Sequence, residues 1–235
     1  MATVALLRVK NESRWLHEAL RSIRPCCDRL VVFDDHSEDE TPQISRDEGA
    51  DVLLSPFLGL QEARDKDYLL EHAKLESGDA CLMIDGDEIL HEEDAAKLEA
   101  EIERGPQALS LRVLYLWNEP SLVRVDGVYG RFRRPSVFRY RTGLSFKQTG
   151  NGGGFHCGNM PWQLWGACQP SQVRLLHMGY LHREDRIRKY HWYRKNDPND
   201  AAEQGYVHMV QGDLPEVPAT ARLMHAGPLR LEALA

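Results

Sequence analysis

Residues 82–90 read LMIDGDEIL, an apolar run that stops at Asp85-Gly86-Asp87-Glu88, three carboxylates within four positions. Crowded carboxylates repel one another, and some of their pKa values rise unless a cation or a hydrogen-bond donor compensates. Two aspartates separated by one small residue, at the end of a buried strand, present oxygen ligands to a hard divalent cation. Such donors select Mn2+ or Mg2+, which keep several waters and bind the phosphates of a substrate. Gly86 keeps a bulky side chain out of the place where a ligand approaches. A DxD pattern is frequent by chance and an acidic turn is commonly just solvated, so its weight comes from its place behind ACLMI, a strand of buried type.

The elements ahead of that strand repeat the arrangement. TVALLRV is a continuous apolar strand, and Ser13 is placed to cap a helix over RWLHEALRSI, where Trp15, Leu16, Ala19, Leu20 and Ile23 recur at helical spacing. RLVVFDD is a second buried strand. Thr41 followed by Pro42 opens a short helix to about Glu48, DVLLS is a third strand, and residues 61–76 form a helix with Leu69, Leu70 and Ala73 inward. Strands separated by helices of this length pair in parallel through right-handed crossovers, and ligands bind outside the carboxyl ends of such sheets. The polar residues at those ends are Arg8, Lys10, Asn11 and Glu12 after the first strand, Asp34 and Asp35 after the second, and Asp85 and Asp87 after the fourth. They form one wall of a cleft.

Beyond a helix near 92–104 the pattern changes. ALSLRVLYLW is a further strand, shorter aromatic β pieces follow, and GNGGGFHCGN is a loop without a P-loop or dinucleotide fingerprint. A helix starts near Arg183, and another spans about 200–210. The simplest organisation is one domain over 1–235, with a ligand-binding half at about 1–105 and a second half at about 106–235.

Composition narrows the function classes. The net charge of −7 argues against a nonspecific nucleic-acid binder. The apolar content of 42% is that of a globular protein, and no stretch reaches the roughly 20 apolar residues of a transmembrane helix. The start reads as a first strand, without the basic region and cleavage site of a signal peptide. Five cysteines without zinc or redox spacing fit a reducing compartment, so the expectation is a cytoplasmic protein, with peripheral membrane association left open. Segments 122–147 and 183–195 are basic; facing an acidic mouth they would suit an anion such as a diphosphate, and otherwise they are solvated faces.

VALLRVKNESRWLHEALRSI, RLVVFDDHSEDET and GLQEARDKDYLLEHAKLESGDACLMIDGDEIL, in this order, resemble the nucleotide-sugar domain of the family 2 glycosyltransferases. The resemblance covers roughly the first 105 residues. It implies a GT-A fold, an α/β Rossmann-like mixed, mostly parallel sheet flanked by helices, and an inverting, metal-dependent transfer of a sugar from a nucleoside diphosphate donor. A UDP-sugar is favoured, and the acceptor is a saccharide or a lipid-linked hydroxyl. It further implies that Arg8, Lys10, Asn11 and Glu12 lie near the base and ribose. Asp34 would bond the base, with Asp35 as its substitute, and Arg64 would lie near the nucleotide. Asp85 would contact the ribose or a metal-bound water, and Asp87 would ligate the Mn2+ or Mg2+. The family's further metal ligand is often a histidine behind a strand, which RLLHMGYLHRED offers as His177, with His182 in reserve; Arg183 and Lys189 would screen the leaving diphosphate.

Each residue also has a purely structural reading. Asn11 and Glu12 can start the first helix, Arg64 can pair with an acid on its own helix, and Glu88 is either solvated or supports the aspartates from behind. The catalytic base that an inverting transfer needs is the point of departure from the family, because no Glu-Asp pair occurs between Pro106 and Cys168. Asp126 in RVDGVYG is preferred over Glu119, with His156 third; the alternative for Asp126 is a turn aspartate paired to Arg124. Trp117, Trp162, Trp165 and Tyr129 are either core or a stacking platform for an acceptor sugar. Two other functions stay in view. A nucleotidyltransferase would need a glycine-rich basic loop where this chain has RVKNES, and a non-catalytic nucleotide-sugar-binding relative would explain the missing pair.

Overall fold

The computed structural model describes residues 1–148, 157–197, 205–223 and 225–234. They fall into two compact units: Met1–Arg112 with the described residues of 133–149 and 154–175, and Val113–Phe132 with the described residues of 176–235. The described residues of 133–149 and 154–175 belong to the first unit because their strands complete its sheet.

In the first unit β1 (Thr3–Val9) pairs in parallel with β2 (Arg29–Asp34) on one side and β4 (Ala80–Met83) on the other, and β2 pairs in parallel with β3 (Asp51–Leu54). The antiparallel β8 (Arg133–Arg139) adds next to β4, and the first half of β6 (Ala108–Trp117) adds next to β8. A short β5 (Glu88–Leu90) pairs with β9 (Cys168–His177). The strand order reverses between β1 and β4, and the carboxyl ends of β1, β2 and β4 point the same way. This is the switch point at which open α/β sheets bind ligands.

Both faces of β1 are covered, which explains its unbroken apolar run. Ala5, Leu7 and Val9 pack with Leu16, Leu20 and Ile23 of α1 (Leu16–Ile23), and Leu98 and Ile102 of α4 (Ala95–Glu103) join the same layer. Val4 and Leu6 face the other way, against Leu69 and Leu70 of α3 (Glu62–His72). The expected caps are corrected. Ser13 does not cap α1; its amide donates to Asp39 at 3.1 Å, and α1 begins after Trp15. Thr41 is the first residue of α2 (Thr41–Asp47), and its hydroxyl accepts the Glu12 amide at 2.8 Å instead of capping.

In the second unit the end of β6 pairs antiparallel with β7 (Glu119–Arg124), and β7 with β10 (Leu231–Ala233). The basic helix α5 (Arg183–Asn196) was expected from Arg183 onward. Of the helix expected over 200–210, residues 200–204 lie outside the described residues, and a 3-10 turn occupies Val207–Val210. All five cysteines are free. Among the described residues no helix is long and apolar enough to cross a membrane.

Candidate active site

The carboxyl end of β1 is pinned to the loop after β2. Asn11 has a left-handed backbone (φ 54°); its amide donates to Ser37 Oγ at 2.9 Å and its Oδ1 accepts the Glu38 amide at 2.8 Å. The Glu12 carbonyl accepts the amides of Trp15 and Leu16, so Asn11 and Glu12 carry the structural duty considered for them and still border the cleft end of β1.

Asp34 and Asp35 are both buried but differ in what they face. Asp35 Oδ2 accepts Arg8 Nη2 at 2.6 Å and lies 3.7 Å from Lys10 Nζ. Arg8 Nε donates to Asp65 Oδ2 at 3.0 Å, and Asp65 Oδ1 accepts Arg64 Nε and Nη2 at 3.0 and 2.7 Å. Arg64 also donates to the Gly59 carbonyl at 2.8 Å and lies 4.3 Å from the Phe57 ring. Arg8 and Arg64 are thus scaffold cations around the fully buried Asp65, and Lys10 is about half exposed. Asp34 Oδ2 accepts the Ser37 amide at 3.1 Å, while its Oδ1 is buried without a hydrogen-bond partner. A buried carboxylate oxygen in that condition costs about 1–3 kcal/mol until a donor arrives.

Behind β4, Gly86 is tightly packed: a Cβ there would stand 3.1 Å from Val9 Cγ1 and from Glu12 Cβ and Cγ. The loop carrying the carboxylates therefore lies directly against the end of β1. Asp85 Oδ2 accepts Arg134 Nη1 of β8, and Asp85 Oδ1 accepts Asn159 Nδ2 at 3.2 Å. Glu88 is fully buried; its Oε2 accepts the Asp85 amide at 3.0 Å, and its Oε1 lies 3.4 Å from Arg134 Nε without a hydrogen bond. Asp87 is buried. Burial raises the Glu88 carboxyl to about 8, against the pull of Arg134 and with the push of Asp85 and Asp87. Burial acts upward on Asp85 too, but its side chain keeps 42% exposure, and Arg134, Lys66 and Asn159 together hold it below the ordinary carboxylate range. The crowding visible in the sequence is therefore met by one arginine shared between Asp85 and Glu88, while burial pushes the Glu88 carboxyl upward. Of the two readings of Glu88, it is the second that its contacts match: it is buried and accepts the Asp85 amide.

Asp85 and Asp87 fit a hard divalent cation in donor type, both being oxygen ligands on a loop fixed against the sheet. Among the described residues no group of three or more His, Cys, Asp or Glu gathers as a preformed metal site.

The second unit holds the other candidates. His177 is buried, with its ring centroid 4.9 Å from Tyr115 and 4.7 Å from Tyr180. Asp126 is buried; its Oδ1 accepts Arg124 Nε at 2.9 Å and the Arg230 amide at 3.1 Å, and its Oδ2 accepts Arg124 Nη2 at 3.0 Å. This is the turn aspartate of the alternative reading. Gly127 follows at φ 53°, where a Cβ would come within 2.7 Å of the Ala226 backbone. Glu119 is exposed at the start of β7, and His156 lies outside the described residues. Trp117 and Tyr129 are buried core and leave the acceptor platform, whereas Trp162 and Trp165, in the first unit, are 48% and 47% exposed.

The model of the family described as Glycosyl transferase family 2 matches residues 6–160, which span β1 through Asn159 and include every carboxylate of the β1, β2 and β4 ends. The chain belongs to this family. A TPR repeat-containing protein of Synechococcus elongatus is 30% identical over 63% of the chain and 34% of its own length. An uncharacterized glycosyltransferase of Rickettsia prowazekii is 35% identical over 40% of the chain and 29% of its own length. The chain thus spans about a third of the curated relatives it matches. Residues 1–349 of Staphylococcus aureus TarS share the fold at a TM-score of 0.52, with 13% identity over 94% of this chain and 74% of that one. The GT-A fold expected for a family 2 glycosyltransferase is the fold observed.

Four residues that hold these side chains in place were not singled out from the sequence: Asp65, Lys66, Arg134 and Asn159. Asp65 and Lys66 precede Leu69 and Leu70 by one helical turn and share their inward face, so charges on an apolar stripe were a readable signal. Arg134 and Asn159 gave none, because their partners lie 49 and 74 residues away.

Proposed function

We propose that this domain transfers a sugar from a nucleoside diphosphate sugar to an acceptor hydroxyl, with the donor bound across the β1/β4 switch point. The observation that carries the reading is the unpartnered, buried Oδ1 of Asp34 at the carboxyl end of β2, in the same sheet edge as the Asp85–Asp87 loop. A ring N–H of uracil, thymine or guanine, or the amino group of cytosine, supplies the donor that this oxygen lacks, and Asp35, occupied by Arg8, does not compete for it.

Asp87 and Asp85 would hold Mn2+ or Mg2+, which when bound neutralises the diphosphate as it leaves. Asp85, fixed on both oxygens, suits a ribose hydroxyl or a metal-bound water. Lys10, about half exposed just past β1, would meet phosphate. Arg8 and Arg64 act through Asp35 and Asp65, keeping the loops around Asp34 in place. His177 enters this reading only through the family resemblance, and so does the choice of a UDP-sugar.

The test is calorimetric titration of UDP, GDP, TDP and CDP with Mn2+ and with EDTA, on the wild-type chain and on Asp34→Ala, Asp87→Ala and His177→Ala. The expected result is tight, metal-dependent uptake of one diphosphate. Asp87→Ala abolishes the metal dependence, and Asp34→Ala weakens binding at least tenfold, about 1.4 kcal/mol. Absence of uptake of any of the four, or indifference to metal, overturns the reading.

A further inference from the structure

We infer that Asn159, oriented by Lys66, is a positioning residue for Asp85; the inference rests on the reading of Asp85 as part of the donor site. Lys66 and Asn159 are both buried, and Lys66 is the only lysine among the buried residues described. An ammonium group has three donors and no acceptor, so everything it touches must accept. Lys66 Nζ donates to the Cys157 carbonyl at 2.8 Å, the Gly158 carbonyl at 3.3 Å and Asn159 Oδ1 at 2.8 Å.

That last bond fixes which end of the Asn159 amide faces which way. With Oδ1 committed to Lys66, Nδ2 points at Asp85 Oδ1 (3.2 Å) and the Met83 carbonyl (3.5 Å), both of them acceptors. The reversed amide would set its one oxygen against both acceptors and its NH2 group against the ammonium. Lys66 therefore reaches Asp85 through one amide, while Arg134 holds the other carboxylate oxygen. The carboxylate plane of Asp85 is set by residues 66, 134 and 159, and none of the three belongs to the DxD segment itself. Partners that hold a metal-site carboxylate in this way typically change metal affinity 10- to 100-fold when removed.

Lys66 also docks residues 157–159 onto α3, and Glu62 does the same one turn earlier, its Oε2 accepting the Cys157 amide at 2.8 Å. Glu62 provides the control that separates docking of this segment from orientation of Asp85.

The experiment uses the full chain, Mn2+, and whichever of UDP, GDP, TDP and CDP the wild type takes up best. Titrations are run on Lys66→Met, Asn159→Leu, the double variant and Glu62→Gln, with thermal melts alongside; Asn159→Ser replaces the leucine variant if that one fails to fold. Expected are 10- to 100-fold weaker metal-dependent binding in each of the first two, and a double variant no weaker than the worse single one, because both act through one amide. Glu62→Gln is expected to lower the melting temperature and to bind within twofold of wild type. Wild-type affinity in Lys66→Met or Asn159→Leu overturns the inference and leaves the donor site standing. Additive losses, or an equal loss in Glu62→Gln, overturn it in favour of segment docking alone. A wild type that takes up no diphosphate overturns the donor-site reading first, and this inference with it.

Discussion

Arg124 and Arg186 in the second unit are fully buried, and every guanidinium nitrogen of each has an acceptor. Arg124 is met by Asp126, Gln211 and the His208 carbonyl, and Arg186 by Asp213, Asn118 and the carbonyls of Tyr180 and Leu181. Their guanidinium carbons lie 4.6 and 4.3 Å from the Trp117 ring centroid. In the first unit the buried charges at the strand ends are not closed in this way. Asp34 and Glu88 each keep one buried oxygen without a hydrogen bond, and Glu88 is pushed to about 8 by burial. Buried charge held for stability is saturated with partners; buried charge held for a ligand keeps capacity in reserve. By that criterion Asp126, despite its acidic side chain in the expected acceptor half, behaves as an anchor, whereas Asp34 keeps the open oxygen that the proposed base contact needs.

The contrast breaks most easily at Arg124. Arg124→Met leaves Asp126 buried without its cation and is expected to cost about 3–5 kcal/mol in urea denaturation. A loss below about 1 kcal/mol would mean that the second unit does not depend on this pair. Asp126→Asn comes next, at about 1.5–3 kcal/mol from weakened charged hydrogen bonds, with donor turnover falling only as far as folding does. A hundredfold loss of kcat at an unchanged melting temperature would instead make Asp126 the base.

His208 sharpens the comparison through pH. It sits beside Arg124, Tyr129, Asp126 and His225, and burial followed by the charges of Arg124 and His225 lowers its pKa from 6.5 to about 4. Between those values the unfolded chain binds a proton that the folded chain does not. The stabilising contribution is therefore complete above about pH 6.5 and is lost as pH falls toward 4. At pH 5 this amounts to about 1–2 kcal/mol, and His208→Asn is expected to shrink the difference in stability between pH 7 and pH 5 by that much. The smallest effect belongs to the exposed indoles. Trp162→Ala and Trp165→Ala should each change stability by less than about 0.5 kcal/mol, while Trp117→Ala costs about 3–5 kcal/mol. Equal costs for exposed and buried tryptophans would remove the distinction between platform and core.

Much of the fold was legible before any coordinates. β1 and β6 lie where the apolar pattern put them, because a strand covered on both faces needs a continuous apolar run, and Leu16, Ala19, Leu20 and Ile23 bury the stripe expected of the first helix. Caps were read less well: Ser13 and Thr41 have the right chemistry for capping, but the loops after β1 and β2 claim them for cross-loop bonds. Of the site, the residue types and their place at the strand ends were readable. Their division of labour was not, since Asp34 and Asp35 are adjacent and chemically identical.

The sequence by itself determined an α/β sheet of parallel strands, a carboxylate-lined edge at its carboxyl ends and a family 2 pattern across it, because these follow from periodicity and from short-range order. Only the tertiary structure decided which partner meets each carboxylate. Arg8 takes Asp35 from 27 residues away, Arg124 closes Asp126 within its own turn, and Asn159 reaches Asp85 across 74 residues. A hydrogen bond of about 3 Å is settled by packing, and packing brings together residues whose separation along the chain carries no mark of the meeting.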